Sequence, residues 1–437
     1  MPVLFTKPLR DKNEKYIEPD GAGIIYPYVA NKNWNSVYRV EAKLKLRVDI
    51  AALESAVKEM KNKYPYFFSC VGIHGKKYVL KSGCLGGVLV ENAEMCRPFD
   101  LKNRDTLLRV VYTLDTIGVE FFHGITDGHG AQLFLDELLK EYCNIAYSGY
   151  SYDTPKTTML PVNERLNKID DIYNEAYTLG GKSVSRFLSK AYQFKSKENT
   201  ELSTECISVF AEPMKAAAHK YGATVTEYLC AVQLVAIIKS ENVKSKTVRI
   251  SIPVDIRKYF ATETSRNASL YFLVEVNSKN ISDFQSLINT VKVQFNKNLT
   301  KGNMQNLAYS NVKCAKMKAY TFLPVILKKA VLNIGYTVFG ENQFTSTLTN
   351  LGKAKMSPAV RGLVSEVYYI LGKEKTKPLN MTVTTYEDET KIIISSTIDS
   401  TNFVRTISEI LIADEVIGTA YPIAVTEAQS NNFDAVS

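Results

Sequence analysis

Residues 121–130 read Phe121-Phe122-His123-Gly124-Ile125-Thr126-Asp127-Gly128-His129-Gly130, and they stop an apolar strand on a histidine and open an amphipathic helix within a few positions. Upstream, Gly118 to His123 has strand composition, with Val119, Phe121 and His123 on one face and Glu120 and Phe122 on the other. Downstream, Ala131, Phe134, Leu135, Leu138, Leu139 and Tyr142 recur at helical spacing and predict a buried stripe. Between them, Gly124, Gly128 and Gly130 permit tight turns and close approach of a second backbone or a ligand. A helix beginning here turns its partially positive end towards the imidazole, which disfavours the protonated ring and leaves a free base near neutral pH. Asp127 reads as the partner of a distant cation that holds the loop still.

Working outward, Val37 to Val48 alternates cleanly, placing Tyr38, Val40, Ala42 and Leu44 on one face and Arg39, Glu41, Lys43 and Lys45 on the other, as a half-buried strand does. Asp49 can cap a following helix lined by Ile50, Leu53, Val57 and Met60. A hairpin of strands Tyr66 to Val71 and Lys77 to Leu80 is expected around Gly72 to Gly75, with His74 an exposed turn residue. Arg97-Pro98-Phe99-Asp100 then leads into Leu107 to Tyr112, a strand placed beside the one ending at His123. From Tyr147 to about Thr204 the composition turns polar, which marks a crossover between two halves.

In the second half, Thr224-Val225-Thr226-Glu227 has capping-box spacing and opens a strongly apolar helix. Val248, Ile250, Ile252 and Val254 alternate as one face of a strand that runs into Asp255-Ile256-Arg257. Thr264-Ser265-Arg266-Asn267 follows shortly after, and Ser346-Thr347-Leu348-Thr349-Asn350-Leu351-Gly352-Lys353 lies further on. Strands are expected over Leu379 to Thr385 and Lys391 to Thr397, around a polar turn at Glu387 to Glu389.

His123-x-x-x-Asp127-Gly128, at the end of a strand about a third of the way along the chain, resembles the HxxxDG motif of the chloramphenicol acetyltransferase-like superfamily. Its closest likeness is to alcohol acetyltransferase and condensation-domain-like members. The Pro98-Phe99 pair before a Leu-Arg-Val strand, the Asp255-Ile256-Arg257 strand end and the Asn350-x-Gly352 segment resemble the family in the same order.

The resemblance implies a layered α/β fold of two chloramphenicol acetyltransferase-like subdomains with an active-site tunnel between them. Residues 1–150 would carry the motif, 151–204 the crossover, 205–426 the second subdomain and 427–437 a loose tail. It further implies that His123 is the catalytic general base and that Arg257 pairs with Asp127. Gly128 would leave space for substrate, and Asn350 and Gly352 would shape the interface. Thr349, Asn350 or a backbone amide would supply the oxyanion donor. The donor would be an acyl-CoA, acetyl-CoA or longer, and the acceptor a small-molecule alcohol or amine. Condensation domains usually place a second histidine immediately before the first, and Phe122 stands there, which favours acyl-CoA over an acyl carrier protein as donor. A carrier-dependent enzyme and a non-catalytic binding member remain the alternatives.

At 437 residues and 45% hydrophobic, the chain can build one large core or two ordinary ones, and two units are expected. Its net charge of +9 comes from dispersed lysines without zinc-finger spacing or a basic helix, so nucleic-acid binding is not expected. The seven cysteines form no CxxC pair and read as reduced thiols of a cytoplasmic protein, in keeping with an N-terminus that lacks a secretory pattern. His123, Asp127 and His129 could supply metal ligands, but no second cluster joins them and no metal is expected. The most apolar segment, Tyr320 to Phe339, is interrupted by Pro324, Lys328, Lys329 and Gly335. It reads as a buried or substrate-lining helix rather than a spanning one, with contact to lipid as the second reading.

Overall fold

The computed structural model describes residues 16–417 apart from 32, 33, 35, 83, 85, 86, 148–161, 185–188, 196–200, 317–321, 375 and 376. The expected tail at 427–437, the extreme N-terminus and the first part of the crossover lie outside the described residues.

The strand before His123 spans Thr116–Phe122 and is central in a five-stranded sheet. It pairs antiparallel with Val37–Leu44 on one side and Leu108–Tyr112 on the other, with Phe122 opposite Val37. Leu89–Glu91 closes one edge of this sheet. The other edge is Val364–Leu371, which returns from the second half of the chain to pair antiparallel with Val37–Leu44. Residues more than 300 positions downstream therefore finish the sheet that carries the histidine, which no local periodicity signals.

A six-stranded sheet runs in the order Ser269–Asn277, Thr247–Asp255, Ser346–Lys353, Leu379–Tyr386, Glu389–Ser396, Ser203–Phe210. Each sheet supports its own apolar core. One is built on Val40, Phe121, Phe134 and Leu138, the other on Val232, Ile250, Leu348 and Ile394. A small third sheet contains the predicted hairpin, as Cys70–His74 with Lys77–Lys81, and His74 stacks on Tyr16 at its end. Tyr66 to Phe68, expected as strand, instead forms a buried helical turn beginning at Pro65.

Local signals read from the sequence place several elements. Asp49 accepts a hydrogen bond from the Ala52 amide and caps Ile50–Lys63, with Leu53 and Met60 buried and Ile50 exposed. The capping box at Thr224 and Glu227 is formed at the start of Val225–Ser240. The polar face expected on Val37–Leu44 is covered at Arg39 and Glu41 and open only towards Lys43. Arg39 is buried and donates to Glu120 at 2.9 and 2.6 Å, while Arg109 binds the same carboxylate from the opposite strand. The Cys96 amide adds a third donor at 2.7 Å. Two guanidinium groups and an amide satisfy a carboxylate that alone would be costly to bury.

Candidate functional site

His123 stands one residue past the central strand, and its amide donates to the Ser36 carbonyl at 2.9 Å. The Tyr26 ring stacks on the imidazole at 5.3 Å, and Tyr38 closes a second side at 4.9 Å. Asn267 approaches from the second half of the chain. Its Nδ2 donates to the His123 carbonyl at 2.8 Å and stands 3.0 Å from Nδ1, while its Oδ1 accepts the Ser269 amide at 3.0 Å. Burial pushes the histidine pKa below its ordinary value. The Asp127 charge and backbone carbonyls at His123 and Thr126 oppose this without reversing it.

Asp127 points away from the imidazole's chemistry and into the loop. Its Oδ1 caps Gly128–Ala146 by accepting the Gly130 amide at 3.0 Å. Arg257 grips both carboxylate oxygens, Nη1 to Oδ2 at 2.9 Å and Nη2 to Oδ1 at 3.1 Å, and the Ala268 amide donates to Oδ2 at 2.8 Å. Burial alone would raise the carboxyl pKa, but Arg257 and the two amides outweigh it and hold the group below its usual range. Arg257 is itself fixed by the carbonyls of Thr264 and Arg266, each at 2.6 Å. This fork joins the end of strand Thr247–Asp255 to the loop after strand Thr116–Phe122, so one ion pair ties the two sheets at the histidine.

The glycines of the loop serve packing more than open space. A Cβ on Gly128 would lie 2.8 Å from Leu351 Cδ2 and 3.3 Å from the Tyr369 ring, and all three residues border the cavity in front of His123. At Gly130 a Cβ would collide with Thr126 Oγ1 and with the Ser265 carbonyl. Gly130→Ala is therefore expected to lower stability by about 1–3 kcal/mol, towards the upper end because backbone must move. Thermal unfolding of the variant beside Gly302→Ala, where a Cβ meets nothing within 4 Å, checks this.

A cavity of about 650 Å³ opens in front of His123. Its wall comes from both halves: Tyr26, Tyr38 and Gln132 on one side, Tyr271, Thr349 and Leu351 on the other. Thr349 and Asn350 both border it, but they differ. The Asn350 amide is engaged, donating to Thr226 Oγ1 at 2.9 Å and accepting the Gly352 amide at 2.8 Å, where Gly352 takes a φ of +68°. Asn350 and Gly352 thus shape the strand end. His129 is exposed at the start of the helix, and Asp127 is occupied by Arg257. Among the described residues no group of three His, Cys, Asp or Glu side chains could hold a metal ion.

Sequence reading located His123, Asp127, Arg257 and Asn350 but not the residues that hold the imidazole. Asn267 was visible only as part of the Thr264 to Asn267 segment, without a contact, and Tyr26 belongs to a stretch with no periodic pattern. Both reach the ring by tertiary approach.

No protein-family model matches the chain, and no curated protein matches it in sequence. Solved structures do match its fold. Polyketide synthase associated protein 5 from Mycobacterium tuberculosis is similar with a TM-score of 0.62 and 15% identity, over 93% of this chain and 99% of that one. Trichothecene 15-O-acetyltransferase from Fusarium sporotrichioides gives 0.60 and 10%, over 93% and 99%. The starter condensation domain of rhizomide synthetase, crystallised with C8-CoA and Leu-SNAC, gives 0.59 and 10%, over 95% and 98%. The protein has the two-subdomain chloramphenicol acetyltransferase-like fold that these structures share.

Proposed function

We propose that the protein is an acyltransferase that moves an acyl group from acyl-CoA to the hydroxyl or amine of a small molecule, with His123 as general base. The observation that carries this is an imidazole, clamped by Tyr26 and Asn267 and with its pKa lowered by burial, facing a cavity walled by both subdomains. In this reading Nδ1–H is directed to the residue's own carbonyl, the Asn267 amide that stands 3.0 Å from Nδ1 donates to that same carbonyl, and Nε2 keeps its lone pair. Nε2 accepts the acceptor's proton as its oxygen or nitrogen attacks the thioester carbon. The tetrahedral adduct collapses with cleavage of the C–S bond, and the imidazolium returns the proton to the departing thiolate. No acyl-enzyme forms. Thr349, which borders the cavity, is the oxyanion donor in this reading, while Asp127 and Arg257 act through the loop.

The acetyltransferase and the CoA-bound condensation domain among the structural neighbours support a thioester donor. The condensation domain also supports a second reading, a donor carried on a separate acyl carrier protein. Phe122, buried where condensation domains usually have a histidine, favours free acyl-CoA. Turnover with acyl-CoA compared with the same acyl group on a loaded carrier decides between them. Reaction with the carrier alone would transfer the assignment to the condensation type, and reaction with neither would support a non-catalytic member.

The pH dependence follows from the depressed histidine. Neutral imidazole is required, so kcat/KM should be level above the ordinary value of 6.5 and fall as pH drops through a midpoint below it. A pH–rate profile measured with a non-titrating alcohol acceptor checks this, and an acid limb centred above 6.5 would contradict it.

A further inference from the structure

The helix Val325–Phe339 wears its polarity on the wrong side. Lys328 is only 3% exposed and donates to the Lys76 carbonyl at 2.7 Å, and Asn333 donates inward to the Tyr28 carbonyl at 2.9 Å. Leu332, Gly335 and Tyr336 on its inner side line the His123 cavity. The outer side carries Ile326, Leu327, Val331 and Ile334, and with Phe322 just before the helix these five side chains are 51–71% exposed. The segment expected to be buried or substrate-lining is thus a wall one helix thick, lining the cavity on one face and presenting an aliphatic ridge outward.

Lysines rim this ridge. Lys76 and Lys77 are exposed at the end of the Cys70–Lys81 hairpin, and Lys76 donates to the Phe322 carbonyl at 3.2 Å with its ammonium 6.0 Å from the Phe322 ring. Lys329 is half-buried on the helix, where burial and then the charge of the exposed Lys102 lower its pKa, as burial and then Lys77 and Lys76 lower that of Lys328. Glu18 offsets one of these charges by pairing with Lys77. We propose that this face docks the protein peripherally on a bilayer rich in anionic phospholipid, bringing the cavity wall against a source of lipophilic substrate. The second clause rests on the acyltransferase reading, whereas the docking does not.

The occupant follows from shape and charge. Protein partners favour aromatic and arginine anchors and deplete lysine, whereas aliphatic side chains ringed by lysines suit the headgroup boundary of an anionic membrane. The ridge lies along a single helix, so a fluid bilayer accommodates it without a matching groove. A second copy would bring the same lysines face to face. Among the described residues no single helix is long and apolar enough to cross a membrane, so the contact is interfacial.

Flotation of the full chain with phosphatidylcholine vesicles, with and without about a third phosphatidylglycerol, tests the proposal. Bound protein should be at least about tenfold greater on the anionic vesicles and should decline as salt rises. Ile326→Asp with Ile334→Asp should abolish binding, and Lys76→Glu with Lys102→Glu should weaken it, with unchanged thermal unfolding in both. His123→Ala should float like wild type, and the Asp variants should keep turnover of a short, water-soluble substrate pair, which separates failure of docking from failure of the acyltransferase reading. Absence of binding to either vesicle, or equal binding of wild type and Asp variants, would overturn the proposal. So would a wild-type dimer, seen by light scattering, that the Asp variants dissolve, since it assigns the face to a second copy.

Discussion

His123→Ala is expected to lower acceptor-dependent acyl transfer by about 10²–10⁴-fold, the usual worth of a positioned general base. Binding of acyl-CoA should be little changed, because the ring is held by Tyr26 and Asn267 at one point of a large cavity wall. The loss should therefore fall on kcat and kcat/KM together, with KM for the donor nearly constant. His123→Gln separates bulk from basicity: it restores volume beside Tyr26 but its amide oxygen is too weak a base to take the proton, so it should be as inactive as alanine. Isothermal titration with CoA beside steady-state kinetics checks both parts. A variant that keeps wild-type kcat would remove the histidine from the mechanism.

The second large effect is expected at the ion pair. Asp127 and Arg257 are both largely buried, with side chains 6% and 11% exposed; loss of Arg257 leaves Asp127 with the Gly130 and Ala268 amides alone, whereas Arg257 also pairs with Asp255 at 2.9 Å. Arg257→Ala should cost about 3–5 kcal/mol, the range for breaking a buried pair by removing one partner. It should also reduce turnover, because the loop after His123 loses its anchor to the second sheet. Arg257→Lys should fall between, since an ammonium cannot reproduce the two-point grip on the carboxylate. The pH dependence has a defined sign. The folded carboxyl titrates below its ordinary 3.8, so its stabilisation is complete above that value and is lost as pH falls through the depressed one. Denaturant melts from pH 7 down to pH 3 should show that acid loss in wild type and a flatter curve in Arg257→Ala. Equal melts for the two proteins would show that the pair holds nothing together.

These two effects sit where sequence reading was strongest. The strand into His123, the helix stripe from Ala131 to Tyr142, the Asp49 cap and the Thr224 capping box are local patterns, and a local pattern is legible because the residues that satisfy it are neighbours. The resemblance carried Arg257 to Asp127 across 130 positions, a pairing that composition and spacing could not supply. Three features escaped for a common reason. Arg39 looked solvated because alternation says which face a residue occupies, not what covers that face, and here Glu120 and Arg109 cover it. Val364–Leu371 has no signal that would send it to the first sheet rather than the second. Lys328 and Asn333 mark the polar stripe of an amphipathic helix, but only the tertiary packing shows that this stripe faces inward and the aliphatic one outward.

The most direct measurement is release of free thiol when the purified protein is mixed with acetyl-CoA or longer acyl-CoAs and a panel of alcohols and amines, with His123→Ala alongside. Release that requires both acceptor and wild-type protein, and that disappears in the variant, is the predicted result. Equal release by both proteins, or silence from wild type across the panel with no binding of CoA, would contradict it.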